Sequence, residues 1–405
     1  MSFQHGLAGL SAAAANLDVI GNNVANAGTV GAKSSRAEFA DMYANSLTGA
    51  TSGGVGIGVT VSAVAQQFTQ GDIVSTKNPL DMAINGRGFF RLSQGGATMY
   101  SRNGQFRMDK DGYIVNAQGA RLTGYAADAE GRINAGMPSE LRIVNADAAP
   151  RATAEASAQL NLDARATAIT GAFNATDPRT YHSAMSMTVY DSLGRDHLMT
   201  LYYRKSGDNA WEIRSAIDGN MVPGAPATLS FTASGAVDTT VSPQPFTLSV
   251  PVGADAGGNQ SIAIDLSQAT QFGAAFGTAE VKQDGYANGR LTGFSIDEAG
   301  VLVGRYSNGQ TRAQGQIALA NFVNPQGLNP TGNNAWLDTA SSGPPTLGTP
   351  NSGSLGTLVA GAVENSNVDL TGELVSMISA QRTYQANAQT IKTHDQMLQT
   401  IVNLR

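Results

Sequence analysis

Phe3-Gln4-His5-Gly6-Leu7-Ala8-Gly9-Leu10-Ser11-Ala12-Ala13-Ala14-Ala15-Asn16-Leu17-Asp18-Val19-Ile20-Gly21-Asn22-Asn23-Val24 carries a single helical pattern. Phe3, Leu7, Leu10, Ala14, Leu17, Gly21 and Val24 step by 4 and 3 for three heptads, the a/d stripe of a coiled-coil seam. The alanine run has the best helix propensity and leaves room for a close neighbour. Asn22, Asn23, Asn26 and Gly28 then punctuate the pattern as a helix end does. Asp18 is the only charged side chain before Lys33, whereas a solvated surface helix carries Lys and Glu on its outer face.

A second stripe lies near the carboxyl end. Leu370, Leu374, Met377, Gln381, Tyr384, Ala388, Ile391, Asp395, Leu398 and Val402 repeat the 4,3 spacing over about five heptads. Polar Gln381 and Asp395 interrupt the seam and can set its register. Asn367 or Asp369 can cap the start, and Glu373 sits where the helix dipole favours an acid. These spans predict helices about 40 and 50 Å long. A helical hairpin with apolar and amide-rich outer faces cannot cover itself, so the expected cover is other copies of the chain.

Between the two stripes the period falls to 2. Met185–Tyr190, Leu198–Arg204 and Trp211–Ile217 read as strands of a meander, turning at 192–194 and 206–209. Phe106, Met108, Asp109, Gly112, Ile114 and Val115 recur 188 positions later as Phe294, Ile296, Asp297, Gly300, Leu302 and Val303. That spacing fits a hairpin turning at the Asp and Gly. Two such hairpins around residues 146–284 suggest a domain inserted into another. The expected class is α+β and multidomain. Residues 1–30 with 366–405 form the helical pair and 31–70 a linker or extended segment. Residues 71–145 with 285–365 form a mainly antiparallel β inner domain, and 146–284 the inserted β outer domain. Residues 49–58, with five glycines, read as a loop.

Catalytic signals are missing. The 405 residues include no cysteine, which removes disulfides, thiol catalysis and Cys-ligated zinc. The nucleophile elbow, the P-loop and H-E-x-x-H are absent. Gly54-Val55-Gly56-Ile57-Gly58 misplaces the third glycine of a dinucleotide loop. Asp109-Lys110-Asp111-Gly112 lacks the acid that a calcium loop needs, so it reads as a turn. His5, His182, His197 and His394 stand apart, and Phe89-Phe90 reads as strand core. A net charge of −6 argues against a nucleic-acid or anionic-membrane partner, and no apolar run reaches the length of a spanning helix. No cofactor is expected. A β-rich enzyme or adhesin module would need a nucleophile or metal set that the chain does not offer.

The residues resemble a family. Leu17-Asp18-Val19-Ile20-Gly21-Asn22-Asn23-Val24-Ala25-Asn26, followed by Gly31-Ala32-Lys33, is similar to the signature of the bacterial flagellar rod and hook axial proteins. Ser366-Asn367-Val368-Asp369-Leu370, Glu373-Leu374-Val375 and Ala380-Gln381-Arg382-Thr383-Tyr384-Gln385-Ala386-Asn387 resemble the carboxyl motif, continuing through Gln389–Thr393 to Val402-Asn403-Leu404-Arg405. Leu80-Asp81-Met82-Ala83-Ile84-Asn85-Gly86-Arg87-Gly88-Phe89-Phe90 is similar to the core motif of the hook and rod members. Ala32 departs from the aromatic residue common there. The motif residues carried over are Asn22, Asn23, Asn26, Asn367, Asp369, Gln381 and Arg382.

The length and inserted block resemble hook-type members, with a distal rod-type subunit as the alternative. The resemblance implies a non-enzymatic subunit of a curved helical tube, a flexible joint passing torque from rod to filament. It implies export through the flagellar type III apparatus to the outside of the cell envelope without a cleaved signal. The absence of Lys or Arg before Lys33 fits that route. It also implies contacts with a hook cap, a distal rod protein, hook–filament junction proteins and, above all, further copies. The helix positions expected to face such contacts are Leu7, Leu10, Leu17, Val24, Leu374, Met377, Tyr384, Ile391 and Leu398.

Overall fold

A computed structural model describes residues 2–42, 58–128, 130–134, 136–144 and 146–403, with the side chains of residues 2, 3 and 401–403 left out. The 49–58 loop, Gly58 apart, and Leu404-Arg405 of the carboxyl motif lie outside the described residues, as do the Phe3 and Val402 side chains.

Two helices bracket a chain of strands. Helix α1 runs Ser2–Ala25 and α2 runs Leu370–Asn403. Asn26 closes α1: its amide donates to the Asn22 and Asn23 carbonyls, and its Nδ2 donates to the Asn22 carbonyl at 2.9 Å. Asp369 opens α2, its Oδ1 accepting from the Thr371 amide at 3.0 Å. After α1 the chain forms an antiparallel ribbon, β1 (Ser35–Met42) with β2 (Gly58–Gln66), with a bulge at Glu38/Phe39.

The chain divides into two compact units. The first holds 1–145, 293–305 and 311–405. At the heart of its sheet, Phe89–Gln94 pairs antiparallel with Ala97–Ser101 and with Arg121–Ala126. Leu319–Asn321 pairs with the start of the same strand. Phe89, Tyr100, Phe322, Leu328 and Trp336 pack there, with rings edge-on at 4.8–5.9 Å. Phe90 is fully buried on the opposite face against Phe106, as strand alternation requires. Two short ribbons, Met82–Asn85 with Thr357–Ala360 and Ile73–Ser75 with Ala362–Glu364, lead back toward α2.

The second unit holds 146–292 and 306–310. It contains two five-stranded sheets with one shared apolar core. One is the expected meander, Ser183–Tyr190, Asp196–Gly207 and Ala210–Ile217, paired antiparallel in series. Its inward residues Met187, Val189, Met199, Leu201, Tyr203, Trp211 and Ile213 alternate with exposed ones. The other sheet is mixed. Glu155–Asp163 runs antiparallel to Gly277–Gln283 but parallel to Gly258–Asp265 and Thr270–Phe272.

One turn recurs throughout. The Asp109 carboxylate accepts from the Asp111 and Tyr113 amides, and the Gly112 amide returns to the Asp109 carbonyl. Gly112 takes φ +86°, which a side chain would strain. Asp297 and Gly300 repeat the arrangement, as do Asp128 with Gly131, Asp191 with Gly194, and Asn116 with Gly119. The repeat at 188 residues is therefore two instances of a widely used hairpin turn, one that the second unit also contains.

Candidate assembly surface

The two helices meet through small side chains. Gly6, Ala12, Ala13, Ile20 and Asn23 of α1 are buried. A β-carbon on Gly6 would lie 2.9 Å from Ile391 Cγ1, and one on Gly9 would lie 2.8 Å from Asn387 Nδ2. Gly6, Gly9, Ala13, Ile20 and Asn23 form the leucine row displaced by one position. The expected stripe is therefore not the intramolecular seam. Leu7 is 52% exposed, while Leu10, Leu17 and Val24 are half-buried. Helix axes approach as closely as the contacting side chains allow, so glycine and alanine take the seam and leucine flanks it.

On α2, Ile391 lies on the seam, Ala380 is buried and Met377 is half-buried. Leu374, Tyr384 and Leu398 are exposed, as are Val375, Ile378 and Met397. Gln381 and Arg382 also face outward. Beside the seam a groove of about 580 Å³ is lined by Gly9, Ala12, Ala13, Phe39, Ser379 and Ala380. The pair thus leaves Leu7 of α1 and a longer run of apolar side chains on α2 without cover in the single chain.

The asparagines do structural work. Asn23 Nδ2 donates to the Ser35 carbonyl at 2.8 Å and to Glu373 Oε1 at 2.9 Å. Its Oδ1 accepts from the Ser35 amide at 2.8 Å, so one side chain ties α1 to β1 and α2. Asn367 acts alike. Its Oδ1 accepts from the Ser34 amide, and its Nδ2 donates to the Gln67 carbonyl and Thr69 Oγ1. Asn22 is exposed. Ala32 is buried, although it is smaller than the aromatic residue of the resembling family.

Lys33, Arg102 and Glu364 form a buried charge cluster that the sequence reading missed. Glu364, fully buried, accepts from Lys33 Nζ at 2.5 Å and Arg102 Nη1 at 3.0 Å, and from the Gly71 amide. Lys33 Nζ also donates to the Thr69 carbonyl at 2.7 Å. Burial holds the Lys33 ammonium and the Arg102 guanidinium below their ordinary ranges, with Glu364 opposing that in both. The signal available was weak: a lone acid, Glu364, in an otherwise uncharged run before α2.

Four family models match the chain, within residues 3–33, 83–286 and 359–404. That described as Flagella basal body rod protein matches residues 3–33, and Flagellar basal body rod FlgEFG protein C-terminal matches 359–404. Flagellar hook protein FlgE/F/G D1 domain matches 83–170, and Flagellar basal body protein FlaE D2 domain matches 161–286. Flagellar hook protein FlgE of Escherichia coli (strain K12) is 44% identical over the full length of both chains. The chain belongs to the flagellar hook protein family.

Flagellar hook protein FlgE of Salmonella typhimurium is 42% identical over the full length of both, and that of Borreliella burgdorferi 34% over all of this chain and 99% of its own. The crystal structure of Helicobacter pylori flagellar hook protein FlgE2 shares the fold, with a TM-score of 0.53 at 15% identity over 72% of this chain and 99% of that one. As a member of this family the chain is a structural subunit of the flagellar hook, and the hook-type reading prevails over the rod-type alternative. Among the described residues no helix is long and apolar enough to cross a membrane.

Proposed function

We propose that copies of this chain pack through the exposed rows of α1 and α2 into a curved tube, a flexible joint that transmits torque from rod to filament. The observation that carries this reading is what the helix pair leaves uncovered: Gly6 and Gly9 of α1 sit against Ile391 and Asn387 of α2, while Leu7, Leu374, Ile378 and Leu398 remain exposed. A repeated heterologous contact that fails to close gives an open helical polymer. Burying a leucine in such a contact is worth about 1.5–3 kcal/mol, which accumulates with every subunit.

The subunit performs no catalysis in this reading. It leaves the cell through the flagellar export apparatus and adds beneath a hook cap. The distal rod protein lies below it and junction proteins lie above. Electron microscopy of the purified chain after salting-out is the test. Tubes are the expected result; monomers and amorphous precipitate at every concentration would overturn it.

A further inference from the structure

Two arginines line one cavity on the first unit. The cavity measures about 310 Å³, and Phe68, Phe89 and Phe322 wall it beside Arg87 and Arg102. The Arg102 side chain is 4% exposed. Its Nη1 donates to Glu364 Oε2 at 3.0 Å and to the Ile84 carbonyl at 3.3 Å, and its Nη2 donates to the Gly86 carbonyl at 2.7 Å. Its Nε has no partner. Because Glu364 also serves Lys33, two buried cations stand against one buried anion.

A buried charge without a counter-charge is costly, so this arrangement favours a second anion. Arg87 follows the Gly86 carbonyl that holds Arg102, and it is exposed at the same cavity. None of the ion pairs among the described residues uses it. A guanidinium offers paired donors matched to a carboxylate, and aromatic walls lower the local dielectric and strengthen the attraction. The chain itself supplies the complementary group, with 31 acidic residues against 25 Lys and Arg.

We propose that this cavity receives an aspartate or glutamate side chain of a second copy of the chain, so that Arg87 and Arg102 form a charged contact between subunits. The inference rests on the assembly reading above and adds a contact away from the helices.

The test uses tubes of the full chain carrying Arg87→Lys, assembled from equal amounts of ¹⁵N-labelled and unlabelled protein and treated with a zero-length carbodiimide. Peptide mass spectrometry should find an amide joining position 87 to an Asp or Glu of a copy with the other label. In parallel, Arg87→Gln should raise the concentration needed for polymerisation about tenfold and flatten its dependence on sodium chloride. Its monomer should melt as the unaltered chain does.

Normal assembly and salt response in Arg87→Gln, or position-87 cross-links confined to single copies, would overturn the contact. So would an Arg87-dependent response of the monomer to acetate with unaffected assembly, which would mark a site for free anions. If Arg87→Gln fails to fold, the cross-link in Arg87→Lys tubes decides. Failure of the unaltered chain to form tubes would remove the assembly reading itself and the contact with it.

Discussion

Asn23 and Glu373, 350 positions apart in sequence, are joined by a 2.9 Å hydrogen bond from Asn23 Nδ2 to Glu373 Oε1. The same carboxamide exchanges two further bonds with the backbone of Ser35. One buried side chain therefore sets where α1 ends, where β1 begins and how the first turn of α2 approaches both.

Replacing Asn23 with alanine leaves the Ser35 amide and Glu373 without these partners. An unsatisfied buried group costs about 1–3 kcal/mol, and the loss should fall on the helix pair and β1. Limited proteolysis should cut the Asn23→Ala chain at the ends of α1 and α2 faster than the unaltered chain. Unchanged cleavage would show that the tie is redundant.

Glu364→Ala removes the anion between Lys33 and Arg102. Two buried cations then face one another without compensation, and breaking a buried pair in this way costs about 3–5 kcal/mol. The melting temperature of the first unit should fall by many degrees, and Glu364→Gln should fall between the two. Equal melting of all three chains would mean that water reaches the cluster.

The two rows of α1 can be separated by mutation. Gly9→Leu drives a side chain into Asn387, because even a β-carbon would sit 2.8 Å from it, so the helix pair of the monomer should loosen and lose helical circular dichroism. Leu398→Asp, at a position 57% exposed, should leave monomer stability within about 0.5 kcal/mol while abolishing tubes. Leu10→Asp should also block assembly. Normal tubes from Leu398→Asp would take that face out of the assembly surface.

The second unit carries a histidine clasp. His197 Nδ1 lies 2.7 Å from Asp218 Oδ2 and its Nε2 lies 3.4 Å from Asp191 Oδ2. Burial would lower the imidazole, but the hydrogen bonds to Asp218 and Asp191 outweigh it and raise it above its ordinary 6.5. Burial likewise pushes the Asp191 carboxyl up, yet Arg195 and His197, with the Leu193 amide, hold it at about 2. A raised base stabilises fully below 6.5, and that contribution is lost as pH rises through the raised value; a depressed acid stabilises above 3.8, and that contribution is lost as pH falls toward 2. The melting temperature should therefore decline by a few degrees from pH 6 to pH 8, an effect below about 1 kcal/mol. His197→Gln should flatten that slope, and a histidine titration by NMR that places His197 below 6.5 would refute the clasp.

Features written in neighbouring residues were legible from sequence alone. The helical spans follow from heptad spacing and their end residues, and the meander of the second unit follows from alternation across 183–217. The D-x-x-G turn was legible for the same reason: one carboxylate reaches amides two and four residues ahead, so its geometry is complete within five positions. The parallel pairings of Glu155–Asp163 had no such local mark, since they join segments about a hundred residues apart.

What the sequence by itself determined is which segments become helix, strand and turn, because propensity, periodicity and short-range hydrogen bonds act within a few residues. Only the tertiary structure decided which face each element turns inward. Hydrophobicity marks Leu7, Leu10 and Leu17, but two helices in contact are limited by the bulk between their axes, and the smaller row one position away won the seam. Lys33, Arg102 and Glu364 likewise became a cluster only through folding, because a buried charge is stable only where distant segments bring its counter-charges within hydrogen-bond reach.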